Sequence, residues 1–493
     1  MPRQRPLLAA VALTLVQGFA IGQPLDAPAL AQQASAAMRA RDFGTAERIY
    51  RQLAGLFPEE AGLALNLGLA LYSSGKFSQA IEQLDRFLEV HPDHAQAWLL
   101  VGMSYQKLDT PSQAVQPLRR AVVLDPGDNV ARLELADALL RSHQPQPARQ
   151  EFARLVSRDR ENPKAWLGLG LSYAELSSIA AQDLERTAPH SVYHQLLLAQ
   201  SAQAQGRFRA AFARYRAAEA IDATVPGIHE AIAAVYQAAG HRDWARAELA
   251  KSVKEEPCDL RQLECWFESG AFDRILEESE ESVTPEAMYW RARAFAEKAK
   301  QAHQRLLALP PSSAAFRLAG TIENLTGNPR DAVDAWRKAV EFEPGNPSLR
   351  VGLLRALRSA AMHEESIREA QVLVQQRPDS ADGRFYSGDA LLQLGRVEEA
   401  IPPLEEAVRL SSGDARMRAS LATAYLSAGR GSEAIPHLQA ALQGQENERL
   451  WFQLSRAYQA AGRSEDARVA LERRGAAIAA RRATPVPNEI TAP

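Results

Sequence analysis

The sequence predicts an all-α chain: a solenoid of antiparallel helical hairpins, in two arrays around a divergent joint. Three periodicities carry this. Alanine recurs every 34 residues at Ala46, Ala80, Ala114 and Ala148, then at Ala211 and Ala245, and again at Ala332, Ala400 and Ala434, with Ala467 one residue early. Proline keeps the same step at Pro58, Pro92 and Pro126, and at Pro344 and Pro378. Glycine stands twelve positions ahead of the alanine at Gly68, Gly102, Gly320 and Gly388. A fixed period of this length marks stacked helical hairpins, each burying its apolar face against the next.

The best-formed unit runs from Ala95 to Asp128. Trp98, Val101, Gly102 and Tyr105 share one helical face at spacings of three and four. A second helix sets Ala114, Leu118 and Ala121 on its inner face, and Asp125, Pro126 and Gly127 end it, since proline cannot continue a helix and glycine tolerates the turn. Gly102 and Ala114 mark the closest approach of the two helices, where larger side chains would force them apart.

These residues resemble the tetratricopeptide repeat, with its Trp, Leu-Gly, Tyr, Ala, large residue, Ala and Pro in a 34-residue frame. The turn glycine also keeps its place at Gly75, Gly206, Gly240, Gly327, Gly395, Gly429 and Gly462. Units fall at 27–60, 61–94, 95–128, 129–162, 192–225 and 226–259, then at 313–346, 347–380, 381–414, 415–447 and 448–481. The resemblance covers most of the chain after residue 26 and implies a right-handed superhelix.

Two intervals break the rhythm. From Ala148 to Ala211 is 63 residues, five short of two periods. A unit opens there at Pro163 with Trp166, Leu169, Gly170 and Tyr173, but 163–191 is degenerate, and its second helix is expected to be truncated within Ser177–His190. From Ala245 to Ala332 is 87 residues, which no whole number of repeats explains. This separates an array at 27–259 from one at 313–481. The joint, 260–312, holds the acidic run Glu277–Glu281, an expected helix from Pro285 to Ala308, and Pro310 and Pro311, which stop it. Gly270, Ala271 and Phe272 echo the turn at Gly75, Lys76 and Phe77. A bend, a hinge, a private binding feature and plain repeat decay all fit this segment.

The chain of 493 residues is 46% hydrophobic and 24% charged, with the charges mixed in sign, unlike the one-sided basic character of a nucleic-acid binder. Residues 1–20 differ from the rest: Arg3 and Arg5, then the apolar run Leu7 to Val16, then Gly18, Phe19 and Ala20. This is the pattern of a cleaved secretory signal, and the run is short for a permanent anchor. An exported protein of the periplasm or cell surface is expected, with no later transmembrane segment. Export puts the two cysteines, Cys258 and Cys265, in an oxidising setting. Within one helix they would be about 10 Å apart, too far to bridge, but Pro257 and a capping-box spacing at Asp259 and Gln262 place Cys258 outside the helix start. A disulfide and two unpaired core thiols are both open. Residues 482–493, with Pro485, Pro487 and Pro493, read as a loose tail.

No catalytic motif is present: no phosphate-binding loop around Gly75-Lys76, no Gly-x-Ser-x-Gly, no His-Glu-x-x-His. No enzyme, metal or cofactor is expected, and His190 and His194 read as surface histidines. The resemblance points to the concave face instead, lined by the first helix of each repeat at frame positions 2, 5, 9 and 12. In the first array these are Leu65, Leu69, Tyr72, Leu99, Met103, Leu133 and Leu140, with Val130, Leu167 and Leu171, a mostly apolar trough. In the second they are Arg317, Arg355, Arg358, Phe385, Asp389, Arg416, Phe452 and Arg456, arginines beside aromatics that suit carboxylates or flat rings. Core packing and plain solubility account for the same residues equally well. Some relatives of this type clamp peptide C-termini with lysine and asparagine; Asn66 fits one such position, but Ala31, Gln96 and Leu100 do not fit the others. The expected task is a non-enzymatic scaffold that binds a protein or peptide in its groove, in envelope assembly or secretion. The alternative is binding of a polysaccharide or other small envelope ligand, and an enzyme with a cryptic site is a minor third reading.

Overall fold

A computed structural model describes residues 26–252, 263–443, 447–482 and 491. The expected signal at 1–20 lies outside them, as does the tail apart from Arg482 and Thr491. Among the described residues there are 26 α-helices and no strand. They begin as hairpins: α1 (Ala27–Arg39) with α2 (Phe43–Leu56), α3 (Ala61–Ser73) with α4 (Phe77–Val90), α5 (Ala95–Lys107) with α6 (Pro111–Leu124), and α7 (Asn129–Arg141) with α8 (Pro145–Arg158). After the single helix α9 (Pro163–Thr187) come α10 (Val192–Ala204) with α11 (Phe208–Ile221), and α12 (Ile228–Ala238) with α13 (Arg242–Leu249). The short pair α14 (Leu263–Glu268) and α15 (Phe272–Glu278) leads into the long α16 (Pro285–Leu307). Five hairpins follow: α17 (Ser313–Thr326) with α18 (Pro329–Phe342), α19 (Pro347–Ser359) with α20 (His363–Gln376), α21 (Ala381–Gln393) with α22 (Val397–Leu410), α23 (Ala415–Ser427) with α24 (Gly431–Leu442), and α25 (Glu448–Ala460) with α26 (Ser464–Arg482).

The chain divides into two compact units. One comprises residues up to Ile179 with Phe295–Ala302; the other comprises Ala180–Ala294 and the chain from His303 on.

Each hairpin turns at frame position 15, counted from the first residue of its unit. Gly75, Gly206, Gly240, Gly327, Gly395, Gly429 and Gly462 take φ between +68° and +89° there, the left-handed region open to glycine. Arg41, Asp109, His143 and Ala361 hold the same position at φ +56° to +60° despite their side chains. The degenerate unit has Ser177 at this place, and its chain does not turn. Instead of the expected truncated second helix, α9 runs unbroken for 25 residues through Thr187, because no residue there favours leaving the helix. In the joint, Gly270 at φ +76° does turn the chain, between α14 and α15.

The periodic alanines are core: Ala46, Ala80, Ala114, Ala148, Ala211, Ala332, Ala400 and Ala434 have no exposed surface. The periodic glycines have a more specific job. A Cβ on Gly102 would stand 2.4 Å from Leu118 Cγ, and one on Gly388 would stand 2.6 Å from Leu404 Cγ. Glycine at position 8 of the first helix therefore admits the large residue at position 24 of the second. Trp336 needs two such gaps, since Cβ atoms on Gly320 and Gly352 would come within 2.6 and 2.3 Å of its ring.

In several units position 4 ties the helix to the turn before it. Trp98 Nε1 donates to the Pro92 carbonyl at 2.8 Å, Trp166 Nε1 to Arg160 at 2.8 Å, Arg132 Nη2 to Pro126 at 2.9 Å and Arg418 Nε to Ser412 at 2.6 Å. The tryptophan of the repeat is thus used for its N–H as well as its bulk. In the first unit α3, α5 and α7 touch in succession, and in the second unit α17, α19, α21, α23 and α25 do. No pair of described second helices comes as close. Within each unit, then, the first helices form the inner row.

Candidate functional site

The inner row of the second unit carries a polar seam that crosses four helices. Arg358 Nε on α19 donates to Asp389 Oδ2 on α21 at 2.8 Å, and Ser420 Oγ on α23 donates to Asp389 Oδ1 at 3.1 Å. Further along, Gln453 Nε2 on α25 donates to Thr423 Oγ1 on α23 at 2.9 Å. The partners stand about one repeat apart in sequence, so the 34-residue frame itself brings them together. Asp389 is buried, and its carboxylate is held by a cation and a hydroxyl, which offsets the loss of water.

The expected groove residues separate into two kinds here. Phe385 is not a groove residue: it is fully buried, with Tyr386 edge-on at 5.0 Å and the Arg416 guanidinium over its ring at 4.6 Å. Asp389 likewise belongs to the seam's interior. Arg416 is engaged, with Nη2 3.0 Å from Asp414 and 3.2 Å from Asp382, and Nη1 3.3 Å from the Tyr386 hydroxyl. Arg317 is half-buried on α17. Phe452 is 40% exposed, with Arg474 over its ring at 4.7 Å. Arg355 and Arg456 are exposed and make no ion pair among the described residues. They flank the seam as two uncommitted cations.

In the first unit, Leu65, Leu69, Tyr72, Met103, Leu133 and Leu140 are half-buried on the inner row. Leu99 is a correction: it is 2% exposed and belongs to the core between helices, because the packing of α5 covers it. The trough is less apolar than expected, for it contains Glu134, which the frame positions did not select. Burial, then the charge of Asp137, pushes the Glu134 carboxyl above the ordinary range. Burial and the Glu134 charge push the Tyr72 phenol up to about 12.

A second polar cluster lies on α11, α12 and α13. Glu248 is fully buried, with His229 Nδ1 at 2.9 Å, Arg216 Nη2 at 3.0 Å and Lys251 Nζ at 3.2 Å, while Arg216 Nη1 reaches Glu219 at 2.7 Å. Burial pushes the Glu248 carboxyl up, but the hydrogen bonds from His229, Arg216 and Lys251 outweigh it and hold it below the ordinary glutamate range. Glu219, His229 and Glu248 bring three potential ligand atoms within 4.8 Å of one another. Arg216 and Lys251 already stand where a bound cation's charge would go. The signal that could have found this cluster is a spacing of nineteen, frame position 4 to 23. It pairs Arg132 with Glu151 and Arg350 with Glu369 as it pairs His229 with Glu248.

His194, read as a surface residue, is buried, with Nδ1 2.7 Å from the Pro189 carbonyl, and exposed His190 precedes α10, so the two share no helix face. Cys265 is buried on α14 and is not a free thiol; Cys258 lies outside the described residues. No described helix is long and apolar enough to cross a membrane.

Two family models described as tetratricopeptide repeat match the chain, one at 32–75, 65–129, 133–186 and 351–415, the other at 391–443 and 425–482, together more than half of it. Cellulose synthase 2 operon protein C of Komagataeibacter xylinus is 33% identical over 112 residues, 22% of this chain. The chain spans only 9% of that relative's length. Similar solved structures include a thermophilic protein of the same repeat from Thermus thermophilus, 18% identical over 34% of this chain and 98% of its own, with a TM-score of 0.30. A repeat protein from Parabacteroides merdae is 12% identical over 67% of this chain and 98% of its own, with a TM-score of 0.32. MamA from Desulfovibrio magneticus is 20% identical over 35% and 97%, with a TM-score of 0.30.

Proposed function

Because the chain belongs to the tetratricopeptide repeat family, we propose that it is an exported, non-enzymatic scaffold that holds an extended protein or peptide segment along the inner row of its second unit. The observation that carries this is the pair of exposed arginines, Arg355 and Arg456, flanking a seam whose other charges are already satisfied. Cations without partners on an otherwise neutralised surface favour a segment with carboxylates, which the guanidinium fork binds bidentately. The signal-like residues 1–20 support export, and the relative named for a cellulose synthase operon supports a setting in envelope assembly. A polysaccharide ligand is the weaker reading, since Phe385 is buried and leaves Phe452 to stack alone.

A library of extended acidic and neutral peptides, with a glycan array beside it, tests the reading. Saturable binding of acidic peptides is expected, weakened on the order of tenfold by the double variant Arg355→Glu, Arg456→Glu with helicity unchanged. Arg358 is unsuitable for this test, because replacing it strands Asp389. Equal binding by wild type and variant, or binding of glycans alone, overturns it.

A further inference from the structure

Frame position 11 is a tyrosine in several units, and its hydroxyl meets position 25 of the unit before. Tyr425 donates to Glu405 Oε1 at 2.6 Å. Gln439 Nε2 donates to the Tyr458 hydroxyl at 2.9 Å. Arg216 Nη2 donates to the Tyr236 hydroxyl at 3.0 Å. The chemistry of the partner decides what the tyrosine has left. A carboxylate only accepts, so Tyr425 spends its proton inside the fold. A guanidinium only donates, so Tyr236 must accept from it and keeps its own proton to give.

That proton has a taker. The Tyr236 hydroxyl donates to the main-chain carbonyl of Thr491 at 2.8 Å, across 255 residues of sequence. Tyr236 is fully buried, seated by Phe212 at 5.4 Å and edge-on to Trp244 at 5.7 Å, so its hydroxyl is fixed in direction. Arg216 is fixed in turn by Glu219 and Glu248. The hydroxyl is therefore a pre-oriented donor whose polarity a cation strengthens, aimed at a peptide carbonyl. The sequence around Thr491, with Pro485, Pro487 and Pro493, disfavours helix.

We infer that Tyr236 and Arg216 form a main-chain carbonyl site, and that the segment after α26 is its tethered occupant, docking through Thr491. An extended segment from another protein with the same chemistry competes with this tether, so partner binding here displaces Thr491.

The test uses the full chain with a fluorophore attached after Pro493, read by anisotropy, with circular dichroism as the folding control. Tyr236→Phe keeps the ring and removes the donor. It is expected to reduce the docked fraction about three- to tenfold, the range for loss of one hydrogen bond, and to drop the anisotropy. Tyr458→Phe, at the same frame position, is expected to leave it unchanged. In the unsubstituted chain, an unlabelled peptide of residues 483–493 at several millimolar, above the effective concentration of a short tether, is expected to lower the anisotropy as well. A folded Tyr236→Phe variant with unchanged anisotropy overturns the inference; should that variant not fold, failure of the peptide to compete overturns it instead. Neither outcome depends on Arg355 or Arg456.

Discussion

Replacing Gly352 by alanine puts the packing rule of this solenoid to its sharpest test. In an open helix position the change is favourable by about 0.5–1 kcal/mol, because alanine restricts the unfolded chain. At Gly352 the new Cβ would stand 2.3, 2.4 and 2.5 Å from Cζ3, Cε3 and Cη2 of Trp336. Ordinary contact begins near 3.4 Å, so the ring or α19 must move by about 1 Å. The ring cannot slide freely, since Gly320 on its other side is already within the reach of a single Cβ, at 2.6 Å. Nor does a polar contact hold it: the Trp336 indole N–H has no acceptor, and packing alone fixes it. Overpacking of this kind costs about 1–3 kcal/mol, so set against the propensity gain the net is a loss of up to about 2.5 kcal/mol. Repeat arrays need not unfold in one step, so the measurement is local: hydrogen exchange of α18 and α19 at mild urea, beside a global melt. Faster exchange in those helices is expected for Gly352→Ala. Gly55→Ala, where a Cβ meets nothing within 4 Å, serves as control and is expected to be neutral or stabilising. Equal behaviour of the two variants refutes the claim that glycines packed against Trp336 are there to admit its ring.

Two further outcomes follow from the turns and the charges. Ala361 sits at φ +56° in a turn that other units assign to glycine, so Ala361→Gly is expected to stabilise the fold by about 1 kcal/mol and so raise the midpoint of a urea titration; an unchanged or lower midpoint denies strain there. The Glu47 carboxyl is pushed up by burial, but hydrogen bonds from Lys76 and Arg51 outweigh this, and like Glu248 it is held below the ordinary value of 4.5. A depressed carboxylate stabilises the fold above its unfolded value, and that contribution disappears as pH falls through the folded value. Stability is therefore expected to fall below about pH 4.5, less steeply in Glu47→Gln, in melts recorded from pH 7 to 3; parallel curves for variant and wild type refute it.

The fold was legible because its signals are local and repeated. Ala114, Gly102 and the turn glycines each answer to a single neighbour at a fixed offset, and one period displays them all. The truncated second helix expected after Ser177 was misread for a related reason: a missing turn residue does not shorten a helix but lets it continue, as α9 does. The candidate site was only half legible. Frame positions found the inner row but could not tell Arg358, which is committed to Asp389, from Arg355, which is not. Nor could they tell Phe385 in the core from Phe452 at the surface. Burial and pairing at those positions depend on the neighbouring repeat, which a single frame does not contain. Tyr236 and Thr491 lie 255 residues apart, and no spacing rule connects them.

The donors at position 4 bear on how such a chain comes apart. Each one fastens a helix to the turn of the preceding hairpin, so the array behaves as a row of couplings between nearest neighbours rather than as one indivisible core. Where position 4 cannot donate, that coupling is weaker. Ala64 is such a place, and there α2 is joined to the next hairpin through Lys76–Glu47 and Arg51–Gln79 instead, bonds whose cationic ends lie in water. Salt screens such contacts but leaves a tryptophan N–H on a carbonyl untouched. The first hairpin therefore has a fastening that responds to ionic strength, while the units opened by Trp98 and Trp166 do not. Repetition of one motif has produced joints of unequal kind, and the surrounding solution can address them separately.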